Sequence, residues 1–319
     1  MLMNLEILFN FCMVMGVTIA ISSNNWLMIW LGLELSMMCF IPIMSKKYKL
    51  NSESCIKYFI IQSLSSAIMM MGVIMMAIWN LSLILLMSIM LKLGVSPFHT
   101  WVVSIIEGMD FYPIFIMFTL MKVAPINMVS YLNENLIFFI IMGLLVGSMA
   151  GLNQNSVKKI LAYSSIFNIS LILSSISSSE IWVEFFILYS ISLMMLNHLM
   201  MKLNLNFINQ VILNNFKVPI KICCWITFLS MGGFPPLMGF FGKLLVIKFL
   251  IMNNQYMISV IMVMTSLIVM FFYTRVVMLS IIMFFNMPKW FVLTKLNFNS
   301  FIIMASVVIP LFLFNLKSL

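Results

Sequence analysis

Of the 319 residues, 64% are hydrophobic and only 8% are charged, with 17 Lys and Arg against 8 Asp and Glu. A soluble domain carries about 25% charged residues, so this chain has too few to cover a surface that faces water. The composition excludes a water-soluble fold and predicts an all-α polytopic membrane protein. The net charge of +9 comes from scattered residues, so nucleic-acid binding is not expected.

The cysteines and histidines are not arranged to hold a metal or a redox group. The 5 cysteines include no C-x-x-C pair, and His99 and His198 are the only histidines. Two histidines cannot supply the axial ligands of two haems, and no Gly-rich phosphate loop occurs. We therefore expect no metal site and no cofactor-binding site on this chain.

Apolar runs separated by polar residues predict about eleven membrane-spanning helices, since one span needs about 20 apolar residues. The segment 203–218 predicts a short interfacial helix. In chain order the predicted spans are 3–21, 26–44, 54–79, 81–105, 112–131, 135–152, 157–176, 181–202, 219–251, 256–285 and 298–316.

Lysines are concentrated in the loops that follow even-numbered spans, whereas loops after odd-numbered spans, such as 22–25 and 177–180, contain no Lys or Arg. By the positive-inside rule this pattern places the N-terminus on the inner side of the membrane and the C-terminus on the outer side. The loop after the fourth span departs from the pattern because it carries Glu107 and Asp110.

Glycine and proline together interrupt the fourth and the ninth predicted spans. Proline removes a backbone donor, and the carbonyl groups it frees are tolerated in a membrane only where they face protein or a wet cavity. A simple packing kink is the alternative interpretation. The residues at these two breaks are Gly94, Pro97, Gly232, Gly233, Pro235 and Pro236.

The two broken spans are five spans apart, and an odd offset reverses the direction of a helix across the membrane. The spacing predicts two inverted five-helix repeats, residues 1–131 and 132–285, with discontinuous helices 4 and 9. A C-terminal helix in 286–319 would complete a single membrane domain over 1–319. Transporters of this architecture bind ions near the midplane, between the repeats.

Four charged residues are predicted well inside apolar spans: Glu34, Lys92, Lys122 and Lys243. Each central charge costs about 2.5–3.5 kcal/mol on insertion scales, so the four together cost about 10–14 kcal/mol. One ion pair, Glu34 with Lys92 or Lys122, would hold helices together but leave two lysines without a carboxylate. A desolvated lysine can release its proton, so the set favours a proton relay linked by water.

Four other residues are accessory candidates because water would link them to the lysines: His99, His198, Lys158 and Lys159. Ordinary hydrogen bonding is the alternative for each histidine. Ser164, Ser165 and Asn168 in the seventh span would either line a hydrated face or mediate helix packing.

Four segments carry a resemblance that covers most of the chain. They are WLGLELSMMCFIPIM around Glu34, KLGVSPFHTW at 92–101, GLNQNSVKKILAYSSIFN at 151–168 and LSMGGFPPLMGFFGK at 229–243. In this order they resemble the subunit 2 family among the antiporter-like subunits of mitochondrial NADH–ubiquinone oxidoreductase, respiratory complex I. One departure is WVVSIIEG at 101–108, where relatives often carry a proline between the Trp and the Glu.

The resemblance implies roles for the buried charges. Glu34 and Lys92 match the Glu–Lys pair of the family, Lys122 its central relay lysine, and Lys243 the exit-side lysine on the second broken helix. The implied function is that of a proton-translocating membrane-arm subunit of an H⁺-translocating NADH:ubiquinone reductase. Redox catalysis, with NADH, FMN, iron–sulfur clusters and ubiquinone, is expected on other subunits of the respiratory chain.

The resemblance also implies partners and a location. We expect neighbouring antiporter-like and small membrane subunits, and phospholipids such as cardiolipin, around a multi-pass protein of the mitochondrial inner membrane. Its N-terminus would face the matrix and its C-terminus the intermembrane space. The abundance of Met and Phe, 36 and 29 residues, fits an A+T-rich organelle genome.

Two alternatives remain open. A stand-alone secondary cation/proton antiporter would need carboxylates at the midplane, commonly Asp, and the only aspartate is the peripheral Asp110. A non-pumping scaffold would need no series of buried lysines.

Overall fold

The computed structural model describes residues 2–45, 49–132, 134–213 and 218–285, and within these ranges the regular structure is helical, with one isolated β-bridge between Ser156 and Phe207. The helices are α1 (Leu2–Ser22), α2 (Trp26–Met44), α3 (Lys49–Trp79), α4 (Leu83–Leu93), α5 (Thr100–Ile106), α6 (Phe111–Phe118), α7 (Leu120–Ser130), α8 (Ile137–Met149), α9 (Val157–Ser174), α10 (Ser179–Leu203), α11 (Ile208–Leu213), α12 (Val218–Gly232), α13 (Met238–Met252) and α14 (Tyr256–Phe285).

Seven segments of the described chain are long and apolar enough to cross a membrane, and each overlaps a predicted span. They are Leu5–Ser22, Trp26–Met44, Leu50–Trp79, Phe111–Ser130, Val157–Ser174, Ser179–Leu203 and Tyr256–Ile282. Shorter apolar helices are Leu83–Leu93, Ile137–Met149 and Ile220–Gly232. The predicted all-α membrane fold is confirmed, whereas the eleventh predicted span, 298–316, lies outside the described residues.

Large apolar side chains are exposed along the helices, as lipid-facing surfaces require. On α14, Met257, Met264 and Phe271 are each more than half exposed, and Phe11 on α1 is similar. A water-soluble monomer rarely exposes apolar surface on this scale, so these faces belong against lipid or other membrane helices.

The chain divides into two compact units, Met1–Gly143 and Leu144–Leu319, with the boundary inside α8. The two units are defined by contacts between residues, whereas the predicted inverted repeat concerns the direction of the helices across a membrane. The inverted repeat therefore stays a prediction.

In the first unit, α1 and α2 approach so closely that their backbones touch. A Cβ atom on Gly16 would lie 2.8 Å from the carbonyl oxygen of Gly32, and one on Gly32 would lie 2.6 Å from the carbonyl oxygen of Gly16. Small residues allow this packing between membrane helices, where van der Waals contact drives association. The contact fixes α2, which carries Glu34.

The break after α4 is a left-handed glycine cap. Gly94 has φ 68°, the N–H group of Val95 donates to the Met90 carbonyl at 3.2 Å, and the N–H group of Gly94 donates to the Leu91 carbonyl at 3.2 Å. This is the Schellman arrangement, which satisfies carbonyl groups at a helix end. The indole of Trp101 donates to the Leu91 carbonyl at 3.1 Å. The freed carbonyls at this break therefore face protein.

The break after α12 repeats the same cap in the second unit. Gly233 has φ 81°, the N–H group of Phe234 donates to the Leu229 carbonyl at 3.1 Å, and the N–H group of Gly233 donates to the Ser230 carbonyl at 3.2 Å. The peptide bonds Ser96–Pro97 and Pro235–Pro236, which follow the two caps, are cis.

One interruption was not predicted. The fifth predicted span, expected as one helix, is divided between α6 and α7 at Thr119, which has φ −114° and ψ −87°. The Thr119 hydroxyl donates to the Phe115 carbonyl at 2.7 Å, and a threonine side chain can compete with the backbone for such carbonyls. Pro125, inside α7, removes a further backbone donor. The interruption places Lys122 in the first turn of a new helix.

Gly94→Ala should destabilise the first unit. Alanine in a left-handed conformation costs about 1–2 kcal/mol, and its Cβ would collide with Val102, which adds about 1–3 kcal/mol of overpacking. We expect a lower midpoint of thermal unfolding for the purified protein in detergent, with exposed Ser104→Ala on α5 as the control. Equal midpoints for the two variants would show that the cap does not need glycine.

Candidate functional site

A cavity in the first unit is lined by both Lys92 and Lys122. Its volume is about 30 Å³, which is enough for at least one water molecule. Lys92 is 9% exposed and Lys122 is 5% exposed. The structure therefore brings two predicted relay lysines into one small buried space. The other polar side chains that line it are Ser36, Tyr58, Gln62 and Trp101.

Lys92 lies in the last turn of α4, two residues before the cap residue Gly94, where the helix dipole favours a cation. Half-buried Glu34 is near enough to interact electrostatically with Lys92 and with the hydroxyl of Tyr58. The Oε1 atom of Glu34 is buried and accepts no hydrogen bond within the described part of the chain. Glu34 is thus the electrostatic partner of Lys92, without a direct bond at that oxygen.

The ammonium group of Lys122 is unsatisfied within the described part of the chain. Its Nζ is buried without a hydrogen-bond partner among the described residues, and it lies 4.5 Å from the centroid of the Phe118 ring. A cation over an aromatic face is attracted to it, but the ring does not replace hydrogen bonds. The ammonium group therefore depends on water in the cavity that it shares with Lys92.

In the second unit, Lys243 reaches back across the helix break. The residue belongs to α13 and is 6% exposed, yet its Nζ donates to the carbonyl of Gly232, the last residue of α12, at 2.6 Å. The Nζ atom also lies 5.6 Å from the centroid of the Phe167 ring. A lysine on one half of the broken helix thus caps the other half, where the dipole is negative.

A second cavity, of about 20 Å³, lies beside this lysine. Asn168, for which the sequence left both a hydrated face and helix packing open, is part of its lining, whereas Ser164 and Ser165 are not. Together with Lys243, the polar side chains in this lining are Asn168, Tyr189, Ser192 and Ser230.

The accessory candidates lie apart from the two cavities. The Nδ1 atom of His99 is 3.2 Å from the Pro97 carbonyl and 3.3 Å from the Ser96 hydroxyl, so this histidine belongs to the loop after the break. His198 and Lys202 interact electrostatically near the end of α10.

Lys158 and Lys159 occupy the first turn of α9 and are partly exposed. Neither lysine lines the Lys243 cavity.

Sequence reasoning missed the tyrosines and the glutamine. Tyr58 and Gln62 are one turn apart on α3, and Tyr189 and Ser192 are one turn apart on α10. Polar groups spaced by three or four residues in an otherwise apolar helix are the signal that would have found them.

Among the described residues, no group of three His, Cys, Asp or Glu side chains is placed to hold a metal ion. The arrangement places protonatable side chains beside cavities that are large enough for a water molecule.

A family model described as NADH:quinone oxidoreductase/Mrp antiporter, TM matches residues 23–269, most of the chain. The chain belongs to this family. Relatives within it include NADH-ubiquinone oxidoreductase chain 2 of Anopheles gambiae, 35% identical over 310 residues, and of Locusta migratoria, 33% identical over 309 residues. Each match covers 92% of this chain and 90% of the relative. The resemblance to subunit 2 is confirmed.

The NADH:quinone oxidoreductase/Mrp antiporter family fold also appears in solved structures. A chain of respiratory complex I from Thermus thermophilus with bound Aureothin is similar with a TM-score of 0.80 and 19% identity, over 99% of this chain and 79% of that chain. At this identity the likeness shows the fold alone.

Gly233→Ala should move the Lys243 ammonium group away from the Gly232 carbonyl. A Cβ atom at position 233 would lie 2.6 Å from Nζ, and φ of 81° is strained for alanine. A density map of the assembled protein should show an N–O distance longer than about 3.5 Å, beyond a hydrogen bond. Ser266→Ala, at an exposed site on α14, is the control. An unchanged bond would contradict the tight fit inferred at this break.

Proposed function

We propose that this chain is a proton-translocating membrane-arm subunit of complex I, which couples NADH:ubiquinone electron transfer elsewhere in the complex to proton movement. Family membership and relatives named NADH-ubiquinone oxidoreductase chain 2 support the assignment. The observation that carries the mechanism is the burial of lysines beside small cavities, Lys92 and Lys122 in one unit and Lys243 in the other.

In the first unit, the proposed relay depends on competition between two ammonium groups. Lys92 and Lys122 share one small cavity, and two positive charges in a low-dielectric space repel each other strongly. Glu34 attracts the charge at Lys92, so a proton there is stabilised relative to one at Lys122. Water in the cavity then carries a proton between the two amines, and one proton occupies the pair at a time.

In the second unit, we propose that the protonated amine of Lys243 is normally hydrogen-bonded to the carbonyl of Gly232. The protonated amine donates to that carbonyl at the negative end of α12, which favours the cation. Loss of the proton weakens this bond and leaves the amine beside the cavity lined by Asn168 and Tyr189. Lys243 therefore holds a proton at the break and exchanges it with water in the cavity.

The finer architecture is part of the same proposal. Eleven membrane helices in two inverted five-helix halves are supported by the glycine caps at Gly94 and Gly233, which share one hydrogen-bond pattern and interrupt predicted spans five apart. The lysine-rich even loops support an N-terminus in the matrix and a C-terminus in the intermembrane space.

We place this chain in the mitochondrial inner membrane, as expected for a relative of animal complex I subunits. FMN, iron–sulfur clusters and ubiquinone belong to other subunits in this proposal. Its neighbours are other membrane-arm subunits, and phospholipids such as cardiolipin fill the interfaces.

A stand-alone cation/proton antiporter is the second candidate, because the family description includes Mrp antiporters and a chain of the Mrp complex from Dietzia sp. has a similar fold, with a TM-score of 0.71. Such a protein would need carboxylates at the membrane midplane, commonly Asp, and the only aspartate in the sequence is the peripheral Asp110. Copurification distinguishes the two candidates. If the chain copurifies in an assembly with flavin and iron–sulfur absorbance, it is not a stand-alone antiporter.

Lys243→Met should lower the number of protons moved per electron pair, because methionine keeps the bulk of the side chain but cannot carry a proton. Positioned proton-transfer groups contribute about 10²–10⁴-fold to a rate, so transfer through the second unit should become negligible. The measurement is proton uptake against NADH oxidation by the assembled complex in liposomes. Exposed Lys248→Met, on the same helix α13, is the matched control. Wild-type pumping by Lys243→Met would contradict the relay.

Glu34→Gln should slow coupled turnover by about three- to thirtyfold, which corresponds to about 0.7–2 kcal/mol on a proton-transfer barrier. The amide removes the negative charge near Lys92 and changes little else in size. NADH:ubiquinone turnover should recover partly when an uncoupler removes the proton gradient. Exposed Glu53→Gln on α3 serves as the comparison in the same unit. Equal turnover of both variants would mean that Glu34 has no part in the relay.

A further inference from the structure

A buried glutamine faces the cavity that the two lysines of the first unit share. Gln62 on α3 is 7% exposed and lines that cavity together with Lys92 and Lys122. Its backbone carbonyl accepts a hydrogen bond from the Ser65 hydroxyl at 2.7 Å, whereas its side-chain amide forms none with another described residue. Buried polar groups almost always have a partner, either protein or ordered water. The amide of Gln62 therefore requires a partner inside the cavity.

The other neutral polar side chains of this lining have less to offer to water. The Ser36 hydroxyl and the Trp101 indole each donate their only polar hydrogen to a backbone carbonyl, at 2.8 and 3.1 Å. Tyr58 supplies one hydroxyl group. A glutamine amide supplies two donor hydrogens and an acceptor oxygen, and its charge does not change. Gln62 is thus the best equipped of these side chains to orient a water molecule.

The ammonium group of Lys122 needs what such a water molecule provides. Its Nζ is buried without a hydrogen-bond partner among the described residues and lies over the Phe118 ring. A protonated lysine has donors alone, so it needs an acceptor oxygen, whereas the neutral amine has a lone pair and accepts. One water molecule bonded to Gln62 meets both needs, because it has hydrogens and lone pairs. The cavity of about 30 Å³ has room for it.

Packing of α3 against α4 fixes the position of this glutamine. The connection 80–82 is short, so the two helices run antiparallel, and a Cβ atom on Gly72 would lie 2.7 Å from the backbone nitrogen of Leu85. Counting from this contact, Gln62 comes level with Gly94, because both lie nearly the same number of residues away and helices rise equally per residue. The backbone contact therefore holds Gln62 beside the end of α4 that carries the first lysine.

We propose that Gln62 is a positioning residue that orients the water molecule through which Lys92 and Lys122 exchange a proton. In the transfer, an Nζ–H bond of one ammonium group breaks and an O–H bond forms on the water. The same water gives a different proton to the neutral amine of the other lysine, so it remains water, and Gln62 keeps its hydrogens. This inference rests on the proposed function and deepens it.

The test uses Gln62→Met in the assembled complex in liposomes. Methionine keeps the length of the side chain but cannot orient water, so we expect normal assembly, with proton pumping lowered about two- to tenfold, the effect of losing one hydrogen bond. The solvent deuterium isotope effect should increase, because proton transfer limits turnover more strongly. A purely structural role predicts unchanged pumping and an unchanged isotope effect. Gln255→Met, the same substitution at an exposed site, is the matched control.

The outcomes separate this inference from the proposed function, with Lys122→Met as the reference. Wild-type pumping by Gln62→Met, with pumping lowered in Lys122→Met, would overturn the role of the glutamine and leave the lysine relay in place. Unchanged pumping in both variants would overturn both proposals. Lowered pumping by Gln62→Met with an unchanged isotope effect would also contradict the inference.

If Gln62→Met does not assemble, a high-resolution map of the wild-type complex decides. Water bonded to the Gln62 amide and to the Nζ of either lysine supports the inference. A dry cavity, or an amide bonded directly to the protein, contradicts it.

Discussion

The hydrogen bond from Lys243 to the Gly232 carbonyl is the interaction on which the second unit depends. Hydrocarbon offers no partner to a backbone carbonyl at a helix end or to an ammonium group, and each is costly alone. At 2.6 Å these two groups satisfy each other, so a broken helix and a buried lysine are compatible only because they occur together. A helix break of this kind is a binding position for a cation, and in this protein the cation belongs to the chain itself.

The two units use the same backbone arrangement with different side chains. Gly94 and Gly233 end their helices with one pattern of hydrogen bonds, but Lys92 precedes its cap and Lys243 follows its own. The first unit therefore places two lysines around one cavity, with the carboxylate of Glu34 interacting with Lys92 from outside its lining, whereas the second places a single lysine against a carbonyl. If both units move protons, they stabilise the charge in different ways: the first by a nearby carboxylate and the second by the end of a helix.

The long helices and the two glycine caps were predictable because membrane spans need about 20 apolar residues and because Gly and Pro interrupt hydrogen bonding locally. The interruption at Thr119 was not predictable, because threonine is common in intact helices. Only the surrounding packing decides where its hydroxyl forms a hydrogen bond. Tyr58 and Tyr189 were missed because a tyrosine counts as apolar in a span. The hydrogen bond from Lys243 to the Gly232 carbonyl depends on the path of the loop between α12 and α13, and no local sequence pattern predicts that path.

The close approach of Gly16 and Gly32 restricts how the first unit can respond to a change of charge. Because the backbones of α1 and α2 touch there, sliding of α2 along α1 would force main-chain atoms into one another. Glu34 is two residues from that contact and is consequently anchored in place. Signals that reach this carboxylate must alter the electric field around a stationary group, so the first unit is built to communicate by charge more than by displacement.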